Sequence, residues 1–464
     1  MRDEVLQKLK GVVGDDFVSV DPEDIYIYSQ DMTENVPSEP DFIVMPESVE
    51  EVQAIIQLAN ECKIPVTPFV AGANIGGLTI PLKGGISLDL RRMKRVIEVN
   101  ETEMYAVLEP GVTFGHIKAY LEKNHPDLIY AYPFAPPYTS VMCNALLSGL
   151  TNLAHRHGCM GDWINGLEVV LPTGEIVKVG SCAVSKYWFG RHPLPDISGL
   201  FIGWQGATGV VTKIAVQLYP TPSFKREMAV TTDDVDTTFK FMRRISRTQV
   251  LDELTAVSFD VTKMLFGQKP PFKKSPNEPE FMQMLEVSGN TREEVNAKVE
   301  VVKGVMKALG VHRGVSISTM MDLPQTLSTL LDFRGGGLTW IGTYGPTANL
   351  EEGTKRAYEL CDRYGFSRLI YTRSMKGGHF AVLRFLLPFN KSDTEETKRV
   401  HELCMELAKM TMDLGYIPYK APSWVVDLIY ERADPNWVDL IKKIKSTLDP
   451  NQIMNPNRWG HHNE

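Results

Sequence analysis

Hydrophobic and polar residues follow two different periods along the first 220 residues of the chain. Where apolar residues recur every three or four positions, the pattern predicts amphipathic helices, and short apolar runs between turn residues predict strands. The predicted helices are one at the start of the chain, 49–64 and 114–124. The predicted strands are 65–70, 85–90, 96–100 paired with 105–111, a hairpin over 166–180 that turns at Pro172-Thr173-Gly174, and 209–220.

The pattern changes after residue 220. Long helical stretches at 293–310 and 349–365 alternate with apolar strands such as 380–389, and the chain closes with a helix and the segment LDPNQIMNPNRWG. Helices and strands that alternate without a repeat predict an α+β fold. We expect three parts, residues 1–220, 221–414 and 415–464.

Composition and charge narrow the class of protein. Hydrophobic residues make up 43% of the 464 residues and charged residues 23%, as in ordinary globular proteins. The net charge of −8 comes from interspersed acids and bases, and no basic block would follow a phosphate backbone, so we expect no nucleic-acid partner. The first residues have the pattern of a short amphipathic helix, so we expect no signal peptide there, and no apolar run is long enough for a membrane span. We expect a cytoplasmic protein.

The cysteines give no sign of a metal centre. None of the six lies in a Cys-x-x-Cys pair, so we predict neither a zinc site nor an iron–sulfur cluster, and reduced thiols suit a cytoplasmic protein. The six are Cys62, Cys143, Cys159, Cys182, Cys361 and Cys404.

The glycine-rich segment 67–81 is the strongest local sign of ligand binding. Its glycines and alanines follow a predicted strand, and they would allow backbone N–H groups to approach a pyrophosphate closely. The segment lacks the Gly-x-Gly-x-x-Gly pattern of dinucleotide-binding folds and the Gly-Lys-Ser/Thr of a Walker A loop. A tight surface turn would use the same residues, and the segment alone leaves both interpretations open.

The order of the segments around this loop is more specific. The order and spacing resemble those of the FAD-binding domain of the vanillyl-alcohol oxidase and p-cresol methylhydroxylase superfamily, over nearly the whole chain. The resemblance implies a two-part FAD-binding domain with an inserted α+β cap domain that covers the substrate. The segments that carry it are 46–52, 67–81, 106–121, 136–149, 161–180, 197–220, 415–422 and 448–460.

The resemblance also implies which residues hold FAD. The loop from Pro68 to Gly77 would bind the pyrophosphate, and the later segments would line the ADP and isoalloxazine parts. The implied cofactor residues are Pro68, Val70, Ala71, Gly72, Ala73, Asn74, Gly76, Gly77, Pro110, Gly111, Pro137, Thr139, Ser140, Asn144, Gly161, Asp162, Gly209, Val210, Val211, Lys420 and Asn455.

Two branches of the superfamily differ in their active-site motifs. The 2-hydroxy-acid dehydrogenases show Gly-His-x-Gly-Asp-Gly-Asn-x-His and Glu-His-Gly segments that gather a metal, whereas here only His379 is present and no metal site is expected. The phenol-oxidising branch shows a Tyr-Arg pair, which is Tyr419-Lys420 here. Two departures leave the substrate open, because Gly76 replaces a tyrosine and Lys420 replaces the planar arginine.

The implied catalytic residues are placed around the flavin ring. Asp162, in a Gly-Asp-Trp context, would lie beside N5, and Lys420 would offset the charge that grows near N1 on reduction. Tyr419 with Lys420 would stabilise a phenolate. His379 would either link FAD covalently or hydrogen-bond in the active site.

Several other residues are candidates by position. We expect the cap to line the substrate pocket, and its candidates are Trp340, Tyr344, Tyr371, Arg373 and His379. His155 and His157 lie close to Asp162 in sequence, and we expect them in a surface loop.

These features predict an FAD-dependent oxidase or dehydrogenase that moves a hydride from a small hydroxylated substrate, phenols included, to flavin N5. The alternatives are a D-2-hydroxy-acid dehydrogenase with Arg373 or Arg384 in place of the metal, and a flavin-bearing electron-transfer subunit of a larger complex. The electron acceptor, oxygen or a redox protein, stays open. From the family we expect a homodimer or a subunit of a redox complex.

Overall fold

Helices and strands occur together in both halves of the chain, which has an α+β fold. The computed structural model describes residues 2–73, 75–317 and 335–460. The helices are α1 Arg2–Val13, α2 Pro22–Tyr28, α3 Val49–Cys62, α4 Phe114–Asn124, α5 Val141–Leu146, α6 Ala154–His157, α7 Val235–Ser246, α8 Phe259–Leu265, α9 Arg292–Ala308, α10 Leu350–Tyr364, α11 Thr394–Asp413, α12 Ser423–Arg432 and α13 Pro435–Leu448. The strands are β1 Val18–Ser19, β2 Phe42–Val44, β3 Val66–Phe69, β4 Ile86–Asp89, β5 Val96–Asn100, β6 Tyr105–Leu108, β7 Leu128–Ile129, β8 Ile164–Val170, β9 Ile176–Gly180, β10 Val210–Gln217, β11 Tyr219–Pro220, β12 Phe224–Thr232, β13 Glu253–Ser258, β14 Phe281–Gly289, β15 Arg313–Ile317, β16 Gly336–Gly345, β17 Ile370–Met375, β18 Phe380–Asn390 and β19 Ile417–Pro418.

Two sheets form the N-terminal part. The first has the order β1-β2-β4-β3, with β2, β4 and β3 parallel, and α3 connects two of its strands. The second has the order β5-β6-β10-β8-β9 and is antiparallel. Ser48 begins α3 by accepting a hydrogen bond from the Glu51 N–H, the pattern of a capping box. The predicted helices and strands of this part are confirmed, except that the predicted strand 209–220 is divided and its end pairs with β7.

A third sheet of eight strands dominates the rest of the chain, in the order β15-β12-β14-β13-β17-β18-β16-β19. Strand residues point alternately to its two faces. Ile341, Leu383 and Phe385 pack under helices α7, α9, α10 and α11, whereas Trp340 and Tyr371 pack on the other face. That other face also contacts residues of the N-terminal part.

The chain after residue 414 contributes to both parts. Strand β19 pairs with β16, so the third sheet extends past the expected boundary at 414, and the three-part division stays a prediction. Residues after α13 then return to β3, where the Val66 N–H donates to the Ile453 carbonyl at 2.7 Å and the Asn455 N–H donates to the Val66 carbonyl at 2.8 Å.

The described helices also bear on membrane association. None of them, over residues 2–73, 75–317 and 335–460, combines the length and the apolar composition that crossing a bilayer requires. All six cysteines are free thiols in this structure. The expected cytoplasmic location stays a prediction.

Candidate active site

The first cavity of interest lies between the glycine-rich loop, helix α5 and the start of strand β10. Strand β3 delivers the loop to one wall, and α5 begins on the opposite wall at Ser140, whose hydroxyl accepts from the Cys143 N–H. The lining residues are Pro68, Val70, Ala71, Gly72, Ala73, Leu78, Thr79, Leu90, Pro110, Thr139, Ser140, Met142, Cys143, Leu146, Leu147, Phe201, Gln205, Gly206, Gly209, Val210 and Val211.

The loop has the conformation that its glycines were expected to permit. Gly72, Gly76 and Gly77 have φ values of +61°, +82° and +62°, in the left-handed region that favours glycine. The backbone N–H groups of Ala71, Gly72 and Ala73 have no acceptor within the described part of the chain. A row of backbone N–H groups that have no protein acceptor beside a cavity is available to an anionic ligand.

Polar side-chain atoms around the cavity support the same conclusion. The Thr139 hydroxyl and the Gln205 amide oxygen are buried without a hydrogen-bond partner among the described residues. On the far wall, a side chain at Gly206 would come within 3.1 Å of Pro68, and one at Gly209 within 2.8 Å of the Val170 carbonyl oxygen. A narrow cleft with free amides and unsatisfied polar groups fits an extended dinucleotide such as FAD.

The structure brings many of the predicted cofactor residues to this cavity. The predicted residues that line it are Pro68, Val70, Ala71, Gly72, Ala73, Pro110, Thr139, Ser140, Gly209, Val210 and Val211. Asn144 and Lys420 line an adjoining cavity. Asn74 lies outside the described residues.

Other predicted cofactor residues have structural partners instead. Gly111 is packed so closely that a side chain would come within 2.6 Å of the Arg91 carbonyl, and Pro137 packs against Gly115. Asn455 donates to the Gln205 carbonyl at 2.6 Å and so supports the wall from behind. The predicted residues that line neither cavity are Gly76, Gly77, Gly111, Pro137, Gly161, Asp162 and Asn455.

A second cavity continues from the first, because Ala73 and Thr139 line both. Its far side is formed by the face of the third sheet that carries Trp340 and Tyr371. The lining residues are Ala73, Pro133, Phe134, Ala135, Thr139, Asn144, Leu150, Trp340, Tyr371, Arg384 and Lys420. Three aromatic rings and two cations therefore surround one space beside the candidate FAD site.

Arg384 lies among aromatic rings in this second cavity. Strand pairing places it opposite Tyr371, and its guanidinium lies 5.0 Å from the ring centres of both Trp340 and Tyr371 and 5.7 Å from that of Tyr419. One guanidinium nitrogen donates to the Tyr419 hydroxyl. Its Nε is buried without an acceptor in the described residues, so one donor is available to a ligand. Rings on several sides stabilise the cation and fix its orientation.

Lys420 supplies the second cation. Its ammonium donates to the Asn144 side-chain oxygen at 2.8 Å, and its backbone has a φ of +53°. Burial, and then the nearby charge of Arg384, lower the pKa of Lys420 to about 7. Neither Lys420 nor Arg384 forms an ion pair with a carboxylate among the described residues, so their charge is available to an anionic group.

Two predicted catalytic residues lie away from this space. Asp162 is in the 3-10 helix Met160–Trp163, which turns Met160 and Trp163 inward and leaves Asp162 exposed, 3.6 Å from the ammonium of Lys376. The expectation that Asp162 lies beside the reacting atoms is therefore not supported by this geometry. His379 is exposed in the turn between β17 and β18 and lines neither cavity, so a covalent link to FAD stays a prediction without support from its position.

The predicted pocket residues of the cap divide in the same way. Trp340 and Tyr371 line the second cavity. Tyr344 packs on Tyr419, with ring centres 4.6 Å apart, and donates to the Ser148 carbonyl at 2.6 Å. Arg373 is buried in an ion pair with Glu253 at 2.8 Å and so is not free to bind a substrate.

The two neighbouring histidines correct a further expectation. His155 belongs to helix α6 and is only 1% exposed, and burial lowers its pKa to about 4. His157 stacks on Tyr219 with ring centres 4.1 Å apart, and burial again lowers its pKa to about 4. The expected surface loop is wrong, because both residues belong to helix α6, where His155 is buried and His157 is half-buried against Tyr219.

Some lining residues had no distinctive pattern in the sequence. Phe134 and Leu150 lie in irregular segments, and Gln205 has a positive φ of +54° that a sequence does not reveal. Arg384 was considered only as a substitute for a metal. Within the described residues, no group of three or more His, Cys, Asp or Glu side chains is arranged to hold a metal ion.

Comparison with known proteins agrees with this geometry. Residues 40–180 match the FAD binding domain family, and residues 221–417 and 426–458 match the C-terminal domain of FAD linked oxidases. The chain is 24% identical over 457 residues to the glycolate oxidase subunit GlcD of Bacillus subtilis, covering 93% of this chain and 91% of that protein. It is 26% identical over 502 residues to the 4-cresol dehydrogenase (hydroxylating) flavoprotein subunit of Pseudomonas putida, covering 98% and 95%. The crystal structure of p-cresol methylhydroxylase with substrate bound superposes with a TM-score of 0.88 at 22% identity, covering 99% of this chain and 96% of that one.

The two family models identify a flavin-dependent oxidoreductase, and the cleft with free amides beside a cation-bearing aromatic cavity fits this class. The chain belongs to the FAD-linked oxidase superfamily of the vanillyl-alcohol oxidase and p-cresol methylhydroxylase type. The predictions of an enzyme, of FAD as its cofactor and of an α+β fold are confirmed.

Proposed function

We propose that the enzyme oxidises a small aromatic substrate that carries an acidic hydroxyl group, a para-substituted phenol being the simplest example. The observation that carries this proposal is Arg384, held by aromatic rings and by Tyr419, beside the second cation Lys420. An aromatic ring would pack on Trp340 and Tyr371, and its oxygen would meet the two cations. The aromatic side chains would therefore hold the substrate ring, and the two cations would hold its oxygen.

Bound FAD supplies the acceptor for a hydride from the substrate. The chain's own residues prepare the substrate for that loss. Arg384 and Lys420 favour the phenolate over the neutral phenol, because an anion beside two cations is stabilised. The Tyr419 hydroxyl, already bonded to Arg384, can donate a further hydrogen bond to the same oxygen. The aromatic walls exclude water, which strengthens each of these interactions.

A second candidate, a D-2-hydroxy acid, is favoured by one specific observation. Two cations that have no carboxylate partner among the described residues would also hold a substrate carboxylate, with the free Nε–H of Arg384 donating to it. The name of the glycolate oxidase relative supports this reading, and that of the 4-cresol dehydrogenase relative supports the first. Arg373, considered earlier for this task, is already paired with Glu253.

One experiment separates the two candidates. The holoenzyme is mixed anaerobically with para-alkylphenols and, separately, with D-lactate and glycolate, and the loss of the oxidised-flavin absorbance is followed in a stopped-flow instrument. Rapid reduction by a phenol is expected. Reduction by hydroxy acids alone would favour the second candidate, and reduction by neither class would reject both.

The partner that reoxidises the flavin is a further part of the proposal. Both named relatives are subunits of larger enzymes, which supports a subunit of a redox complex here. The reduced enzyme is mixed with air-saturated buffer. Slow return of the flavin absorbance is expected for a chain that passes electrons to a protein, and rapid return would instead identify an oxidase.

A further inference from the structure

Arg458 is a buried cation directly behind the glycine-rich loop. Its side chain is only 1% exposed, and it belongs to the segment that follows helix α13. The guanidinium donates to the carbonyl oxygen of Gly77, and lies 3.5 Å from those of Gly76 and Ile80. The partners of this arginine are thus backbone carbonyl groups of the loop that lines the FAD cavity.

The bond from Arg458 helps to fix the direction of the Gly77 carbonyl, which also accepts from the Ile80 N–H at 3.1 Å. In a trans peptide the N–H points opposite to the C=O. The carbonyl of Gly77 shares its peptide group with the N–H of Leu78, so the bond to Arg458 turns that N–H away from the arginine. Leu78 lines the cavity and is buried, and its N–H has no acceptor in the described part of the chain. The arginine therefore holds a donor toward the cavity.

Arg458 also differs from most buried cations, because no carboxylate among the described residues pairs with it. Lys445, the comparable cation behind the opposite wall, donates to the Ala207 carbonyl at 2.6 Å but is neutralised by Asp449. Arg458 has no carboxylate in hydrogen-bond contact among the described residues, and Asp31 acts on it only through space. Burial lowers the pKa of Arg458 to about 10, so it remains charged at neutral pH. A buried unpaired charge is costly unless something offsets it.

We propose that Arg458 is a positioning residue for FAD: it orients the peptide groups of the glycine-rich loop toward the pyrophosphate and supplies the buried positive charge that balances it. The arginine does not touch the cofactor. It acts through the peptide that joins Gly77 to Leu78, whose oxygen accepts from the guanidinium and whose N–H points the other way, toward the cavity that Leu78 lines. The pyrophosphate then meets donors whose partial charge is reinforced from behind.

The test compares ligands with and without phosphate. Apoprotein is produced in riboflavin-starved cells, and the dissociation constants of FAD and of riboflavin, which lacks the pyrophosphate, are measured by the quenching of flavin fluorescence. Arg458→Gln keeps hydrogen-bond donors but removes the charge, and Arg458→Lys keeps the charge but removes the planar fork. Arg432→Met, which changes an arginine of α12 that pairs with Asp413, is the matched control.

For Arg458→Gln we expect FAD binding to weaken by about tenfold or more, and riboflavin binding to stay within about twofold. Arg458→Lys should keep the FAD-to-riboflavin ratio within about threefold of the wild type, and Arg432→Met should change neither constant. Equal weakening of FAD and riboflavin, or unchanged FAD binding, would overturn the proposal, since the arginine would then be only structural. If Arg458→Gln does not fold, the FAD-to-riboflavin ratio of Arg458→Lys decides the question. A tenfold loss of FAD affinity relative to riboflavin in that variant would show that the positive charge is not the cause and would overturn the proposal.

Discussion

Lys420 should make the binding of an anionic aromatic ligand depend on pH. Its pKa in the unliganded protein is about 7. An anion beside the ammonium favours the protonated form, so the pKa of Lys420 rises when the ligand binds. The affinity for the anion is therefore highest below about pH 7. It falls as the pH rises from that value to the higher pKa of the complex, and it is constant above that pKa. Arg384 stays charged throughout and retains part of the binding.

The size of the effect follows from Coulomb's law. Two unit charges 4 Å apart attract by about 4 kcal/mol at the effective dielectric constant of about 20 that suits sites near a protein surface. Because the Lys420 ammonium is also bonded to Asn144, we take about half of this, roughly 2 kcal/mol, for the net gain. That energy corresponds to a pKa rise of about 1.5 units and to an approximately 30-fold loss of affinity across the pH window.

Benzoate is a suitable probe, since it is aromatic and remains ionised over this pH range. Its binding to the oxidised holoenzyme is followed by the perturbation of the flavin spectrum from about pH 6 to about pH 9.5. Lys420→Met should bind more weakly at low pH and show less than about threefold dependence on pH. Lys376→Met, at an exposed lysine that lines neither cavity, should keep the wild-type profile. A flat wild-type profile, or the same slope in Lys420→Met, would refute the assignment.

Three further predictions use other parts of the structure. Asp162→Ala should leave the rate of anaerobic flavin reduction within about threefold of the wild type, because the Asp162 carboxylate is exposed and lines neither cavity. A hundredfold lower rate would show that Asp162 takes part in catalysis. Arg373→Met should cost roughly 3–5 kcal/mol of stability well above pH 7, where the Glu253 carboxylate is ionised and has lost its cation. The fall in apparent unfolding temperature should be smaller at low pH, because burial raises the pKa of Glu253 to about 7 and the carboxyl is protonated there. An equal fall at all pH values would contradict this. Gly76→Ala would place a side chain 2.6 Å from the Lys420 carbonyl oxygen at a φ of +82°. The clash should displace Lys420, so benzoate affinity should fall about tenfold while FAD stays bound. Unchanged benzoate affinity would show that the loop moves instead of Lys420.

The first cavity, the candidate FAD site, was the more predictable part of the site. Its residues come from short contiguous segments whose glycine pattern and order along the chain are visible in the sequence, as with Gly72 in the loop and Gly209 before β10. These residues would bind a ligand through their backbone, and glycine in a sequence marks the positions where the backbone can adopt a positive φ. Strands and amphipathic helices were predictable for the same reason, since their period is local.

The second cavity, the proposed substrate site, was less predictable because side-chain direction there depends on distant partners. Arg373 and Arg384 lie on neighbouring strands of one sheet, and both were candidates. Arg373 is withdrawn by Glu253 and Thr255 on strand β13, more than a hundred residues earlier, while Arg384 meets aromatic rings and stays in the cavity. Asp162 illustrates the same limit on a small scale, because a single 3-10 turn determines whether it faces inward.

The return of the residues after α13 to strand β3 has a consequence for synthesis. The ribosome makes Val66 and the glycine-rich loop nearly four hundred residues before Ile453, Asn455 and Arg458, which support them. During most of translation the loop therefore lacks the contacts of these C-terminal residues, and its surface is exposed to solvent and to chaperones. Flavin loading is then a late event in the life of each molecule, so fluorescence from ribosome-bound chains stalled before residue 450 should show free rather than captured FAD.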